Sequence, residues 1–363
     1  MVYNLQSAAM QIAVVEGDGI GREVIPEAVK IIKILEPDFK LVPVEIGCDK
    51  WERTGTAISK EDIDLMRECA CTLLGAVTTP PDPDYKSVLL QIRKEFDLYA
   101  NIRPYKYYQI KSSPYQPAKP FEFVIVRENT EGLYSGIEKI TKDEATTTRL
   151  LTRKGCERIT NIACKIAAQK NTDITIAHKA NVLKSDVFFK NIATQTAVQH
   201  NIAYNEVYID AMAYHLILHP QNYHVIVTTN LFGDILSDLA AALVGGLGLC
   251  PSASISEGYA LFEPVHGSAP DIAGCNIANP MAAILSTKMM CEWLGKYESA
   301  AIIQQAVEYA VVHQIVTPDL GGVYTTTQVT EAILKYIKNH TLHCAEPHTP
   351  CAEPHTPCAE NNS

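Results

Sequence analysis

The feature that most constrains this chain is a repeated alternation of short apolar runs with longer segments of helical spacing. Gln11–Glu16 (QIAVVE) reads as a buried strand, and Gly17-Asp18-Gly19-Ile20-Gly21 follows it directly. Glu23–Leu35 then carries Val24, Ile25, Ala28, Ile31, Ile32 and Leu35 at the period of a helix. The same reading puts a helix at Lys60–Arg67 and strands at Thr72–Val77, Phe121–Val126, Ile174–Ala177, Val207–Ile209 and Val225–Thr229. Helices are expected between them at Thr152–Gln169, Lys184–Ala197 and Asp234–Val244. This alternation predicts an α/β fold with a mostly parallel sheet.

Length adds a second constraint, because 363 residues exceed one comfortable core and suggest two domains. Periodicity breaks at Arg103–Pro120, rich in Pro, Tyr and Lys, and at Gly245–Gly258, rich in Gly, Ser and Pro. Two crossovers there would let the chain leave one lobe, build another and return, with a ligand cleft between them. A net charge of −10, from 41 acidic against 31 basic side chains, argues against nucleic-acid or anionic-membrane partners. A local arginine cluster could still receive an acidic small molecule. The longest apolar run, Leu239–Cys250, contains three glycines and is too short to span a bilayer. No basic region precedes an apolar stretch at the N-terminus, so a cytoplasmic location is expected.

Cys48, Cys69, Cys71, Cys156, Cys164, Cys250, Cys275 and Cys291 form no CxxC pair and read as reduced thiols that mostly pack as small apolar groups. From Cys344 the chain repeats CAEPHTP, whose two prolines per unit prevent a helix or packed core. Metal binding by its Cys and His residues is the sharper reading of that tail, and a duplication without a function the plainer one.

Four constellations carry chemistry. The glycine loop after the first strand has GxGxG spacing rather than the dinucleotide fingerprint GxGxxG, so it supports a tight strand-to-helix turn, not a standard Rossmann fold. Asp234 and Asp238 stand at i and i+4 in an otherwise apolar helix, which puts both carboxylates on one face. They could bind Mg²⁺ or Mn²⁺, or Asp234 could simply favour a helix N-terminus. Arg93, Arg103 and Arg127 supply guanidinium groups suited to carboxylates, although each alone reads as an ordinary salt-bridge residue. Tyr134 and Lys179 could move protons, as a phenol and an amine.

Together the segments Glu16–Gly21, Leu98–Pro104, Val126–Tyr134, His178–Leu183, Thr228–Ala241 and Leu261–Pro280 resemble the β-decarboxylating dehydrogenases. That family contains isocitrate, homoisocitrate and 3-isopropylmalate dehydrogenases, and the resemblance covers roughly residues 10–340, leaning toward the archaeal-type isopropylmalate/homoisocitrate branch. It implies a two-lobed isopropylmalate-dehydrogenase-like fold. Residues 10–98 with 246–342 would form the cofactor-binding lobe, and 99–245 the substrate, metal and dimerisation lobe. Residues 1–9 and 343–363 would be an extension and a tail. It also implies a homodimer, or a tetramer, with active sites shared between subunits.

By the same resemblance, Arg93, Arg103 and Arg127 would hold the malate carboxylates. Asp234 and Asp238 would bind Mg²⁺ or Mn²⁺, joined by Asp210 of another copy. Tyr134 and Lys179 of the other copy would be the acid–base pair, the lysine acting directly or through Asp210 and water, and Asn181 would lie near substrate and nicotinamide. Thr78, Thr79, His266, Gly267, Ser268, Ala269, Asp271, Ile272 and Asn279 would line the cofactor site. Relatives that use NADP carry a Lys-Tyr pair where this chain has Asp271-Ile272, which implies NAD. None of the matched positions has lost its functional side chain, which weighs against a non-catalytic regulatory subunit.

By the same resemblance, substrate choice would rest on Ser87, Leu89 and Leu90, on a helix Lys86–Arg93 that would face the group on C3 of the malate. Ser87 suits an acidic substituent of the homoisocitrate or isocitrate kind, whereas the leucine pair matches enzymes that pack an isopropyl group. Lys86 and Thr78-Thr79-Pro80 tilt the expectation toward the tricarboxylates, with 3-isopropylmalate as the alternative and tartrate or D-malate behind.

Overall fold

The computed structural model describes residues 10–82 and 84–341; the N-terminal extension and the repetitive tail, with its metal-binding reading, lie outside them. The strands are β1 (Gln11–Val15), β2 (Lys40–Pro43), β3 (Cys71–Leu74), β4 (Ala100–Lys106), β5 (Glu122–Glu128), β6 (Glu138–Ile140), β7 (Ala145–Thr147), β8 (Ile174–His178), β9 (Tyr204–Tyr208), β10 (Val225–Thr228), β11 (Pro251–Ile255) and β12 (Ala260–Pro264). The helices are α1 (Gly21–Leu35), α2 (Cys48–Thr54), α3 (Lys60–Arg67), α4 (Val88–Glu95), α5 (Arg153–Lys170), α6 (Lys184–Gln199), α7 (Ile209–Leu218), α8 (Asn230–Val244), α9 (Met281–Trp293), α10 (Tyr297–Val312) and α11 (Thr326–Thr341).

Ten strands form one sheet in the order β2-β1-β3-β12-β11-β4-β5-β10-β8-β9. Pairing is parallel at both flanks, β2-β1-β3-β12 and β5-β10-β8-β9, and antiparallel through the central β12-β11-β4-β5. The expected α/β class with a mostly parallel sheet is therefore observed, and the strand order is not that of a Rossmann domain. The remaining strands, β6 and β7, make a separate exposed hairpin.

Two sequence expectations need correction at the centre of this sheet. Arg103 and Pro104 do not begin a crossover; they lie inside β4, and the connecting loop starts only after Lys106. Proline is tolerated there because the pairing of β4 with β11 runs only over Ala100–Ile102, so Pro104 sits beyond that ladder. Likewise Gly245–Gly258 contains β11, whose Ser and Pro content hid a fully buried strand. At β9 the strand ends at Tyr208, and Ile209 with Asp210 opens α7 instead of extending the sheet.

Strand alternation then decides where the core is continuous and where it is not. One face presents Ile12, Leu73, Phe262, Ala253, Val124, Val126, Val227 and Ile176 to a single apolar cluster beneath α1, α5, α6, α9, α10 and α11. The opposite face is split. Ala13, Val15, Leu74 and Leu261 pack under α2, α3 and α4, whereas Phe123, Ile125, Ile226 and Ala177 pack under α7 and α8. Between those two clusters the same face carries Asn101, Arg103, Arg127, Ser252, Ser254 and Glu263, all buried. A polar strip of that kind cannot be covered by an apolar helix without stranding its hydrogen-bonding groups, so it floors a cleft.

Among the described residues no helix is long and apolar enough to cross a membrane. The eight body cysteines are all unpaired, and every one except Cys275 is buried, as expected of packing thiols.

Candidate active site

Arg127 leaves β5 into this cleft with its side chain 3% exposed. Its Nη1 donates to Asp234 Oδ1 at 2.5 Å, while Nε and Nη2 donate to Asn230 Oδ1 at 3.1 and 2.8 Å. Tyr134 donates its hydroxyl to the other Asp234 oxygen, Oδ2, at 2.7 Å, and its ring centroid lies 5.5 Å from the Arg127 guanidinium. Asn230, Gly233 and Asp234 are therefore presented together by the first turn of α8. A Cβ on Gly233 would stand 2.6 Å from Arg127 Cγ, so the helix approaches the arginine only because this position has no side chain.

That closeness yields a prediction. Gly233→Ala gains about 1 kcal/mol of helix propensity but must displace the root of a buried arginine, an overpacking cost of about 1–3 kcal/mol. Thermal denaturation is expected to show lower stability. An unchanged Tm would mean that Arg127 moves freely.

Electrostatics couple the arginines. Burial and the neighbouring Arg103 lower the Arg127 pKa to about 10, with Arg93 adding to the effect, and Asp234 opposes it. Arg103 donates from Nε to Asn101 Oδ1 at 2.6 Å, and Asn101 donates on to Ser254 Oγ at 3.1 Å. Arg93, on α4, lies 3.7 Å from Glu263 and keeps a buried Nε without a partner. Glu263 is buried, which raises its pKa, while Arg93, Arg103 and Arg127 all pull the other way. Three guanidinium groups thus share one field with two carboxylates, leaving it cationic. A polycarboxylate suits that excess.

Asp234 is partly buried, which disfavours its charged form, yet Arg127, the Tyr134 hydrogen bond, Arg103 and Arg93 together hold its pKa below the usual value. Tyr134 shifts upward, through burial and then through Asp234, so its phenol keeps its proton at neutral pH. Asp238 follows one turn later on α8 and is exposed. These are hard oxygen donors on one helix face, and their chemistry fits Mg²⁺ or Mn²⁺. Among the described residues of one chain no group of three or more His, Cys, Asp or Glu side chains converges on a metal position.

Lys179 and Asp210 are paired with each other elsewhere, Nζ to Oδ1 at 2.6 Å. Asp210 is exposed, and the lysine hydrogen bond lowers its pKa. Asn181 is exposed on the same turn. Among the described residues no hydrogen bond or ion pair joins Lys179 or Asp210 to Tyr134 or Asp234 within one chain. Ser87 caps α4, its Oγ accepting from Leu90 N at 3.5 Å. Leu89 packs against the cluster under α4, while Leu90 is 47% exposed.

The glycine loop has a structural task. Gly19, at φ +54°, lies so close to Ser268 that a Cβ would stand 2.1 Å from its carbonyl oxygen, and Ile20 N donates to that oxygen at 2.8 Å. Asp18, buried in the turn, accepts from Thr78 N at 2.8 Å and Cys48 N at 2.9 Å, and Thr78 donates to Ser268 Oγ at 2.8 Å. The loop therefore clamps the Thr78 and Ser268 segments together. Next to them His266 donates from Nδ1 to Gly267 O at 3.0 Å, which leaves Nε2 as a buried acceptor without a partner. Burial lowers the His266 pKa, so the ring stays neutral.

Thr79 and Asp271 are exposed, a Cβ on Gly267 would meet nothing within 4 Å, and Ala269 sits at φ +36° with Ile272 N bonded to its carbonyl. The exposed rim and the orphaned acceptor fit a cofactor that brings hydroxyl or amino donors. Asn279 is committed inside the protein, donating to Asp319 at 3.1 Å and accepting from Met281 N at 3.0 Å.

Asn230, Glu263, Arg149 and Asp186 escaped the sequence reading. Glu263 had a legible signal, a charge in the otherwise apolar run Ala260–Phe262. The others depend on contacts between segments far apart in the chain.

Comparison with known proteins identifies the family. The family model described as isocitrate/isopropylmalate dehydrogenase matches residues 11–333. A homoisocitrate dehydrogenase of Methanocaldococcus jannaschii is 46% identical over 341 residues, covering 91% of this chain and 98% of its own. A 3-isopropylmalate/3-methylmalate dehydrogenase of the same organism is 45% identical, covering 90% and 99%. The crystal structure of isocitrate dehydrogenase from Methylococcus capsulatus superposes with a TM-score of 0.85 at 39% identity, covering 91% and 99%. With its fold and nearly its whole length matched, the chain belongs to the isocitrate/isopropylmalate dehydrogenase family and is a β-decarboxylating dehydrogenase of the malate type.

Proposed function

We propose that the enzyme uses NAD⁺ and Mg²⁺ or Mn²⁺ to oxidise and decarboxylate a (2R,3S)-malate of the homoisocitrate or isocitrate class, giving a 2-keto acid and CO₂. The observation that carries this reading is the cationic field of Arg93, Arg103 and Arg127 around Asp234, with Tyr134 bonded to the same carboxylate. Asp234 and Asp238, with Asp210 of a second copy, would hold the cation, which supplies Lewis-acid polarisation of the substrate oxygens. NAD⁺ would be held by Thr78, Thr79 and the His266–Ile272 loop and would supply the hydride acceptor, while Asn279, already bonded to Asp319 and Met281, would support that loop from inside.

The side chains then divide the work. The guanidinium groups bind and orient the carboxylates, and their desolvated charge favours the electron-rich stage that follows loss of CO₂. Lys179 Nζ, having first given up a proton to water beside Asp210 2.6 Å away, takes the proton from the 2-hydroxyl as the free amine. Tyr134, with its pKa raised, delivers a proton to C3. An exposed carboxylate at Asp271 accepts hydrogen bonds from ribose hydroxyls and repels a 2′-phosphate, which favours NAD⁺ over NADP⁺.

Two lobes, 10–98 with 246–342 and 99–245, meet in this reading between the paired strands β11 and β4. A homodimer is part of it, supported by the exposed Val182, Tyr214, Ile217, Leu218 and Ile235 on α7, on α8 and beside Lys179. A reducing, cytoplasmic setting agrees with the unpaired thiols.

A second reading, 3-isopropylmalate as substrate, is favoured by Leu90, which is exposed on α4 three residues before Arg93. The deciding measurement ranks kcat/KM on isocitrate, homoisocitrate, 3-isopropylmalate and D-malate with Mn²⁺, using NAD⁺ and then NADP⁺. The tricarboxylates are expected to lead, with NAD⁺ preferred. A clear lead for 3-isopropylmalate would transfer the conclusion to the second reading, and equal efficiency with NADP⁺ would remove the role given to Asp271.

A further inference from the structure

Outside the substrate field, Arg149 stands between three segments of the chain and bonds to two of them. Its neighbour Leu150 bridges to Gly132, with Gly132 N donating to Leu150 O at 2.7 Å, so Arg149 is anchored to the loop that carries Tyr134. The Arg149 guanidinium lies 5.0 Å from the ring centroid of Phe232 on α8. Its Nη2 donates to Thr229 Oγ1 at 2.9 Å. Thr229 occupies the N-cap position of α8 but makes no side-chain cap bond, because its hydroxyl serves Arg149 instead.

From the other edge of the guanidinium, Nη1 donates to Ser185 Oγ at 3.1 Å and lies 2.7 Å from Asp186 Oδ1. Asp186 is fully buried, and its second oxygen accepts from Lys179 N at 2.6 Å. That bond fixes the turn whose side chain reaches Asp210. A full charge pair in the interior is an expensive way to hold a loop, since burying two charges costs desolvation that an apolar pair avoids. Here it spans the segments that carry Tyr134, Lys179 and Asp234.

We infer that Arg149 and Asp186 are positioning residues for the acid–base groups, acting as one unit that sets the Lys179 turn against the Tyr134 loop and the first turn of α8. The inference rests on the proton-transfer roles proposed above for its consequence in turnover, but its geometric core does not. Neither residue touches substrate or cofactor in this scheme. Their effect passes through the backbone at Lys179 and through Thr229.

The test uses the full-length protein with Asp186→Asn, Arg149→Lys and the double substitution of both. The first readout is competitive acetylation of Lys179 against exposed Lys335, followed across pH by mass spectrometry. Lys179 reactivity relative to Lys335 is expected to change in both single variants. The second readout is steady-state kinetics on the best substrate. A displaced catalytic group costs about 10- to 100-fold in kcat, with KM for NAD⁺ within about twofold of wild type because the cofactor loops are untouched. The double variant is expected to lose no more than the worse single one, as for residues acting as a unit.

A Lys179 reactivity profile unchanged in both variants would overturn the inference, and so would losses that simply multiply. Should Asp186→Asn fail to fold, Arg149→Lys, which keeps the buried charge, carries the same comparison. A wild-type protein inactive on every malate would sink the proposed function while leaving the acetylation result to decide this point.

Discussion

Asp234→Asn is expected to lower kcat/KM by about 10²- to 10³-fold or more, the range seen when a preorganised electrostatic partner is removed from an active site. The substitution changes one oxygen to an amide and removes one charge, and both of the original oxygens are in use. Oδ1 takes a charge-assisted bond from Arg127 and Oδ2 takes the Tyr134 hydroxyl. An amide nitrogen facing either donor puts two N–H groups against another donor. Arg127 would then be buried beside Arg103 with its main countercharge gone. The requirement for Mn²⁺ is expected to rise as well, which a titration of activity against metal concentration measures.

Stability should fall too, and its pH dependence has a definite sign. Breaking a fully buried pair costs about 3–5 kcal/mol, but Asp234 is 39% exposed, so about 1–3 kcal/mol is expected after screening. The carboxyl pKa is depressed in the folded state. Its contribution is therefore complete above the unfolded value of about 3.9 and is lost only as pH falls through the lower folded value. The difference in Tm between wild type and Asp234→Asn should stay constant from neutral pH down to about pH 4.5 and close below it. A gap that closed between pH 7 and 5 would show that some other group controls it.

These pairings mark the boundary of what the sequence could reveal. The strand–helix alternation was legible because apolar period is a local property: Lys60–Arg67 was predicted to the residue, and α1 and α5 to within two. Asp234 and Asp238 were legible as a pair because i and i+4 share a helix face whatever lies opposite. What lies opposite was not legible from spacing. Arg127 and Asp234 are separated by 107 residues, and nothing between them sets their distance. Arg149 follows Thr146-Thr147-Thr148 with no pattern around it that marks a site, and only the fold turns it inward from the end of the exposed β6–β7 hairpin.

The glycine loop was ambiguous for a similar reason. Its spacing excluded one fingerprint, but its true contacts, Ser268 and Thr78, come from distant segments. Strands β4 and β11 were missed because Pro, Ser and Gly mark loops only when a backbone donor or a side chain would otherwise be needed. In the middle of this sheet Pro104 lies beyond the β11 ladder, and Ser252 and Ser254 supply the polar floor of the cleft.

Mixing two inactive variants is expected to restore activity. Lys179→Met and Tyr134→Phe should each lose about 10²- to 10⁴-fold, as removal of a general base or acid does. Within one chain Lys179 bonds to Asp210 and Tyr134 to Asp234, with no bond between the pairs. The apolar surface between α7, α8 and the Lys179 turn leaves both pairs next to exposed Tyr214, Ile217 and Ile235. If a second copy covers that surface through a two-fold axis, each site takes Tyr134 from one subunit and Lys179 from the other. A mixed dimer then contains one site with both groups intact and one with both lost. Random exchange makes about half of the dimers mixed, so about a quarter of wild-type activity should return. The experiment exchanges subunits under mild denaturation and verifies mixed dimers by native mass spectrometry before assay. Mixed dimers that stayed as inactive as their parents would place both groups in one subunit's site, and the shared-site arrangement would have to be abandoned.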